Sequence, residues 1–171
     1  GAAWWFDRKR REPAFRAKFD EWLLRQRVAG PIVAKMETAR LARTVGTLLR
    51  NGVPLLTAMG IGGRILGNQA LIADVEAAAG EVKNGVGLST ALGKGKKFPR
   101  LALQMIQVGE ESGALDAMLL KTADTFEAET GQALDRMLAA LVPVITVVLA
   151  VVIGFVIMAV LLPMYQLSGS I

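Results

Sequence analysis

The longest apolar run in the chain lies near its C-terminus and predicts a transmembrane helix. Between residues 138 and 162, only Pro143, Thr146 and Gly154 interrupt a run of apolar side chains. A helix of this length reaches about 37 Å, which exceeds the roughly 30 Å hydrocarbon core of a bilayer. The alternative is a buried core helix, but so long a segment without charge is unusual in a small domain. We therefore assign residues 137–163 to a membrane span and residues 164–171 to a tail beyond it.

Apolar positions before the span recur every three or four residues, which predicts helices rather than strands. Breaks between the helices are expected at Gly30-Pro31, Asn51-Gly52 and Asn84-Gly85 and within residues 93–97 and 109–113. Short connections of this kind join neighbouring antiparallel helices. The predicted fold is all-α, an antiparallel six-helix bundle over residues 31–136 followed by the transmembrane helix.

Individual residues are expected to set the ends and the inward faces of these helices. Asn68 and Ser89 each have the side chain of a helix N-cap. Pro99 suits the first turn of the next helix. The apolar side chains expected to face the core from this helix are Leu101, Leu103, Met105, Ile106 and Val108. The residues expected to shape turns, close contacts and the span are Gly52, Pro54, Gly85, Pro99, Gly109, Gly113, Pro143 and Pro163.

Charge gives the span a direction. The net charge of +5 comes from residues 1–50, since the rest of the chain is slightly acidic, and Arg136 is the last charged residue. Cationic residues on only one side of a span indicate its cytoplasmic side, so we expect the bundle in the cytoplasm and the C-terminus outside it. Aromatic residues do not interleave with a basic stripe, and nucleic acid is therefore not an expected partner.

The N-terminal segment resembles a membrane boundary. Trp4 and Trp5 lie in an apolar stretch, residues 1–6, and an Arg-Lys-Arg-Arg run follows at residues 8–11. Aromatic residues favour the membrane interface and basic residues its cytoplasmic side. We interpret residues 1–6 as the end of an upstream membrane helix and residues 7–30 as a basic juxtamembrane helix or linker. An irregular terminus is the alternative.

The composition removes several classes of chemistry. The chain has no Cys and no His, so it lacks a thiol nucleophile, the commonest general base and the commonest metal ligand. Its acidic residues are not spaced as calcium or magnesium ligands. We expect neither an enzyme nor a site for a cofactor or metal.

Two charged segments are candidates for contact with partners. Glu110 and Glu111 lie in the sequence Gly-Glu-Glu-Ser-Gly, where helix neighbours point about 100° apart, so they do not form an acid–base pair. One of them is expected to cap a helix or pair with an arginine such as Arg100 or Arg43, and the other to meet a partner. A basic loop at residues 93–97, which contains Lys94, Lys96 and Lys97, is either a solvated loop or a contact for an acidic partner.

The connections between the predicted helices, with the motifs beside them, together resemble those of one family. They comprise, in order, Gly52-Val-Pro-Leu, Asn68, the segment from Val82 to Leu92 with Gly85 and Ser89, Phe98-Pro99, Met105-Ile-x-Val-Gly-Glu-Glu-Ser-Gly-x-Leu115, Glu127-x-Glu129 and Leu162-Pro163-x-Tyr165. Over about residues 30–168 the chain resembles the second cytoplasmic domain and last membrane helix of the type II secretion F proteins and the related type IV pilus platform proteins.

This resemblance implies a location and a function. It implies a bacterial inner-membrane platform without catalytic activity, which couples a cytoplasmic hexameric ATPase to the assembly of pilin or pseudopilin subunits. Inner-membrane adaptor proteins, membrane lipid and further copies of the chain are the other partners it implies. The motifs do not separate secretion from pilus assembly. A tail-anchored adaptor without a filament role is the alternative interpretation.

One residue departs from the family pattern. Family members usually carry a Glu immediately before the proline that begins the last span, and this chain has Val142 before Pro143. A carboxylate at that depth is therefore not expected to contribute to function in this protein.

Overall fold

The structure, a computed structural model, describes residues 13–27 and 29–169. The expected membrane boundary at residues 1–6 and the basic run at residues 8–11 lie outside the described residues. Seven helices and no strand are present among the described residues, which confirms the all-α prediction. The helices are α1 (Pro13–Arg25), α2 (Ala29–Arg50), α3 (Leu55–Arg64), α4 (Gln69–Lys83), α5 (Leu88–Gly93), α6 (Arg100–Ser112) and α7 (Leu115–Ser168).

The described residues fall into two compact units that divide after Thr130. The first unit contains α1 to α6 and the part of α7 that precedes the division. Helices that follow one another along the chain pack together from α1 to α6, and α1 also packs on α4. Six helices of the predicted bundle, α2 to α6 and the start of α7, therefore belong to this unit.

Three helices end on a glycine in the left-handed conformation. Gly52, Gly85 and Gly113 have φ of 83°, 91° and 71°, values that side chains with a Cβ rarely adopt. After α2, the amide of Val53 donates to the carbonyl of Leu48 at 2.9 Å and the amide of Gly52 to that of Leu49 at 3.0 Å. These two bonds define a Schellman motif, which satisfies carbonyls at the helix end. The Gly-containing stop signals after α2, α4 and α6 were therefore readable in the sequence.

Two prolines precede their helices rather than lying within the first turn. Pro54 and Pro99 occupy the N-cap positions of α3 and α6, with ψ of 146° and 139°. The expectation that Pro99 lies in the first turn was wrong by one residue, because its extended ψ keeps it outside the helix. Pro143 and Pro163 lie inside α7, which continues through both.

The core of the first unit is apolar and closely packed. Its largest fully buried side chains include Phe126, Met59, Leu71, Val45 and Val75. The core contains a cavity of only about 20 Å³, lined by Val45, Met59 and Val75 among others, with room for about one water molecule. The core is thus filled by side chains and offers no room for a small-molecule ligand.

Helix α6 faces the core with only part of the predicted set, since Ile106 is buried and Leu103 packs on the core as expected. Leu101 and Val108 are 45% and 52% exposed, while Ala102, Ile106 and Gly109 are buried. The buried residues are spaced by four and three positions, so they form one inward stripe. The prediction selected large apolar residues and was wrong for Leu101 and Val108 because small residues occupy the tight contacts.

The second unit consists of the later part of α7 and the residue that follows it. Every side chain from Leu134 to Tyr165 is exposed, although nearly all of them are apolar. Among the described residues, α7 is the one helix long and apolar enough to cross a membrane. A fully exposed apolar surface of this length is costly in water and suits lipid. Helix α7 therefore contains a candidate membrane span, and the bounds 137–163 stay a prediction.

Candidate partner-contact surface

Glu110 caps the short helix α5. Its carboxylate accepts hydrogen bonds from the amides of Leu88 and Ser89 and, at 2.7 Å, from the Ser89 hydroxyl. A carboxylate at a helix N-terminus satisfies orphan N–H groups and interacts favourably with the helix dipole. The prediction that Ser89 itself caps α5 was wrong: Gly87 is at the N-cap position, and Glu110 supplies the acceptor from another helix.

The N-terminus of α4 is capped by both its own residue and a distant one. As predicted, the Asn68 side chain accepts from the amides of Ala70 and Leu71, at 3.0 and 3.1 Å. Asp20 of α1 accepts from the amide of Gln69 at 2.8 Å. The α1–α4 contact therefore includes a helix cap.

Glu37 supports the connection between α3 and α4 in a similar way. Its side chain is 6% exposed and accepts from the amide of Gly67 at 2.8 Å. Sequence reasoning did not select Glu37 or Asp20. The signal for Glu37 was its spacing of four residues from buried Leu41, which places a carboxylate on the inward stripe of α2. No comparable signal exists for Asp20.

The basic loop is partly occupied by internal ion pairs. Lys94 contacts Glu81 at 2.5 Å and Lys97 contacts Asp74 at 3.0 Å, the second pair being mostly shielded from solvent. Lys96 is exposed and has a φ of 53°, in the left-handed region. Lys96 is therefore the lysine of this loop whose position best suits contact with a partner.

The structure places the remaining candidate contacts on α6. Arg100 begins the helix and is exposed, and Glu111 is exposed and accepts from the Gln107 side chain at 2.9 Å. Glu110 and Glu111 therefore differ, because the first is engaged within the protein and the second points outward. Neither carboxylate is hydrogen-bonded to Arg100 or Arg43 among the described contacts.

Arg43 instead joins α2 to the first part of α7. It contacts Glu127 at 2.8 Å and Asp124 at 2.5 Å, while Lys35 contacts Glu129 at 2.8 Å and Arg50 contacts Asp116 at 3.7 Å. Hydrogen bonds to Glu127 and then Asp124 raise the pKa of the Arg43 guanidinium above its usual value. These ion pairs hold α2 against the first part of α7.

The charged groups do not converge on a catalytic arrangement in the part of the chain that the structure describes. No group of three or more His, Cys, Asp or Glu there could hold a metal ion. The charged residues act as helix caps, as ion pairs between helices or as exposed side chains. An arrangement of this kind can stabilise a bundle and present a charged surface to another protein.

The fold and the exposed apolar helix define the class: a helical bundle protein with a candidate membrane anchor. Residues 41–163 match the family model described as Type II secretion system (T2SS), protein F. The chain belongs to this family.

Relatives from both secretion and pilus systems resemble the chain. It is 68% identical over 167 residues to the type II secretion system protein F of Xanthomonas campestris, covering 98% of this chain and 41% of that protein. It is 35% identical over 161 residues to the type IV pilus assembly protein PilC of Myxococcus xanthus, covering 94% and 39%. The type II secretion system protein F of Pseudomonas aeruginosa is 34% identical over 158 residues, covering 92% and 39%. The chain thus spans about two fifths of the length of these relatives.

Proposed function

We propose that the chain is part of an inner-membrane platform protein of a type II secretion machine. The observation that carries the proposal is the match of residues 41–163 to the secretion F family, together with 68% identity to a secretion protein F. Pilus assembly proteins match at lower identity, 35% for the Myxococcus xanthus protein. A pilus platform is therefore the second candidate, and loss of pili instead of secretion would indicate it.

In this proposal the bundle lies in the cytoplasm and the tail lies in the periplasm. The exposed apolar surface of residues 137–163 supports a membrane span, and the absence of charge after Arg136 supports the direction. The platform has no catalytic role. It couples a cytoplasmic hexameric ATPase, directly or through inner-membrane adaptors, to the assembly of pseudopilin subunits.

The proposed route of coupling begins at the exposed charges of the bundle. Lys96, Arg100 and Glu111 are exposed, so a partner can contact them without breaking the core. The ion pairs of Arg43 hold α2 against the start of α7. A partner that moves α2 is therefore expected to move the first part of α7 as well.

The experiment reverses the exposed charges without disturbing the internal caps. A Lys96→Glu, Arg100→Glu and Glu111→Lys triple variant of the full-length protein is compared with Lys121→Glu, an exposed lysine on α7. We expect the triple variant to lose co-purification with the assembly ATPase or its adaptor at unchanged membrane abundance, and the control to retain it. Retention of partners and of secretion by the triple variant would remove these residues from the proposed interface.

A further inference from the structure

Helix α1 presents two aromatic rings to solvent. Phe19 is 50% exposed and Trp22 is 53% exposed, and their ring centroids lie 5.8 Å apart with an interplanar angle of 31°. The two residues are three positions apart, so they share one face of the helix. Exposed aromatic pairs of this size are typical of contact surfaces.

The opposite face of α1 holds the rings outward. Asp20 accepts from the amide of Gln69 at 2.8 Å through its side chain, and its backbone carbonyl accepts from the Asn68 side chain at 3.3 Å. Leu24 packs on the core of the bundle. Residues 20 and 24 are one turn apart, so they anchor one side of the helix while Phe19 and Trp22 lie on the other. The rings cannot turn inward without the loss of these contacts.

Cationic side chains flank the rings. Lys18 and Arg25 are exposed and, with Trp22, are spaced by four and three residues along one row of the helix. Arg25 also contacts Glu21 at 3.2 Å, but both side chains are at least half exposed, and an ion pair of this kind is weak. The face is therefore aromatic and basic, a combination that suits the headgroup region of an anionic bilayer.

We propose that α1 lies on an anionic membrane surface, with Phe19 and Trp22 in the headgroup region and Lys18 and Arg25 against lipid phosphates. The proposal rests on the membrane location proposed above. One aromatic pair is too small for a stable protein interface, which needs about 1,000 Å². It is sufficient for a second contact with a membrane to which the same chain is already attached, because attachment raises the local concentration of lipid. The helix would then fix the bundle at the surface as well as by its span.

The experiment uses Trp22 as the reporter in the full chain. The 171 residues are used, and within them Trp4→Phe and Trp5→Phe leave Trp22 as the sole tryptophan. The protein is reconstituted in phosphatidylcholine vesicles with and without phosphatidylglycerol, and also with lipids brominated near the headgroup end of the acyl chain. In anionic vesicles we expect the Trp22 emission to shift to shorter wavelength and to lose intensity with brominated lipid. Both effects should weaken in vesicles of phosphatidylcholine alone.

A charge variant and a matched control complete the test. Lys18→Gln with Arg25→Gln should reduce the quenching of Trp22, whereas Lys83→Gln, an exposed lysine at the end of α4, should leave it unchanged. Circular dichroism checks that each variant keeps its helices. A Trp22 that emits as in water and is not quenched overturns the inference. Emission at short wavelength without quenching by lipid also overturns it, because a second copy of the chain then covers the rings.

Carbonate extraction separates this inference from the proposed function. A chain that resists extraction but shows no quenching of Trp22 has its span and lacks the α1 contact, so only the inference fails. A chain that carbonate removes from the vesicles has no span, and then the proposed membrane location fails as well.

Discussion

Replacement of Glu110 by alanine should destabilise α5 more than any neighbouring surface change. The carboxylate accepts from two amides at the start of the helix and from the Ser89 hydroxyl. Loss of an N-terminal cap costs about 0.5–2 kcal/mol, and a buried donor left without an acceptor costs about 1–3 kcal/mol. Leu88 is 2% exposed, so water replaces the lost acceptor poorly. We expect Glu110→Ala to cost about 2–3 kcal/mol.

Hydrogen exchange over residues 85–93 measures this cost locally in the full chain. Since about 1.4 kcal/mol is a factor of ten, the amides of α5 should exchange roughly 30- to 150-fold faster in Glu110→Ala. Glu110→Gln keeps one acceptor and loses the charge, so we expect about half of the effect. Glu111→Ala is the matched control, because Glu111 is the next residue and is exposed, and its cost should stay within about 0.5 kcal/mol. Equal exchange rates in the Glu110→Ala and Glu111→Ala variants would refute the role of Glu110 as a cap.

Three further changes test the packing and the ion pairs. Gly109→Ala places a Cβ 2.8 Å from the Met118 Cβ and should lower the free energy of denaturant unfolding by about 1–3 kcal/mol. Gly80→Ala is the control, because its Cβ meets nothing within 4 Å and the change should be neutral or stabilising; equal effects would contradict the close contact. Arg43→Ala should cost about 1 kcal/mol at low salt and less at high salt, and a cost independent of salt would argue against the ion pairs. Glu37→Ala leaves the amide of Gly67 without its acceptor and should lower the unfolding free energy by about 1–3 kcal/mol. The control is Glu76→Ala, at an exposed position, and equal losses in the two variants would contradict the role of Glu37 as acceptor for this amide.

Local signals predicted most of the fold. Most helix bounds follow from apolar spacing together with caps and stops such as Asn68, Gly52 and Gly85, whose effects act within a few residues. The break predicted at Gly30-Pro31 was wrong, because α1 ends at Arg25 and α2 begins at Ala29, so that both residues lie inside α2. The apolar segment at residues 137–163 is evident from composition alone, because lipid imposes a minimum length on a span. These features depend on neighbours in the sequence, and a single sequence contains them.

Contacts between distant helices could not be predicted in the same way. A helix cap by Glu110 or Glu111 was one of the two predicted roles, but which carboxylate acts and which helix it caps depend on the approach of α5 to α6, which no local pattern encodes. Leu101 and Val108 are large and apolar, so hydrophobicity predicts them inside, whereas the close contact of Gly109 with Met118 sets a different inward stripe on α6. Asp20 shows the same limit, since its partner amide lies 49 positions along the chain.

The most direct test of the account is deletion of the gene in its bacterium, with secretion and pili measured in the same strain. The account predicts loss of secretion through the type II system, restored by the intact gene and not by the Lys96→Glu, Arg100→Glu and Glu111→Lys variant. Loss of pili with normal secretion would transfer the same function to a pilus machine. A strain that lacks the gene and keeps both normal secretion and normal pili would contradict the assignment of this chain to an assembly platform.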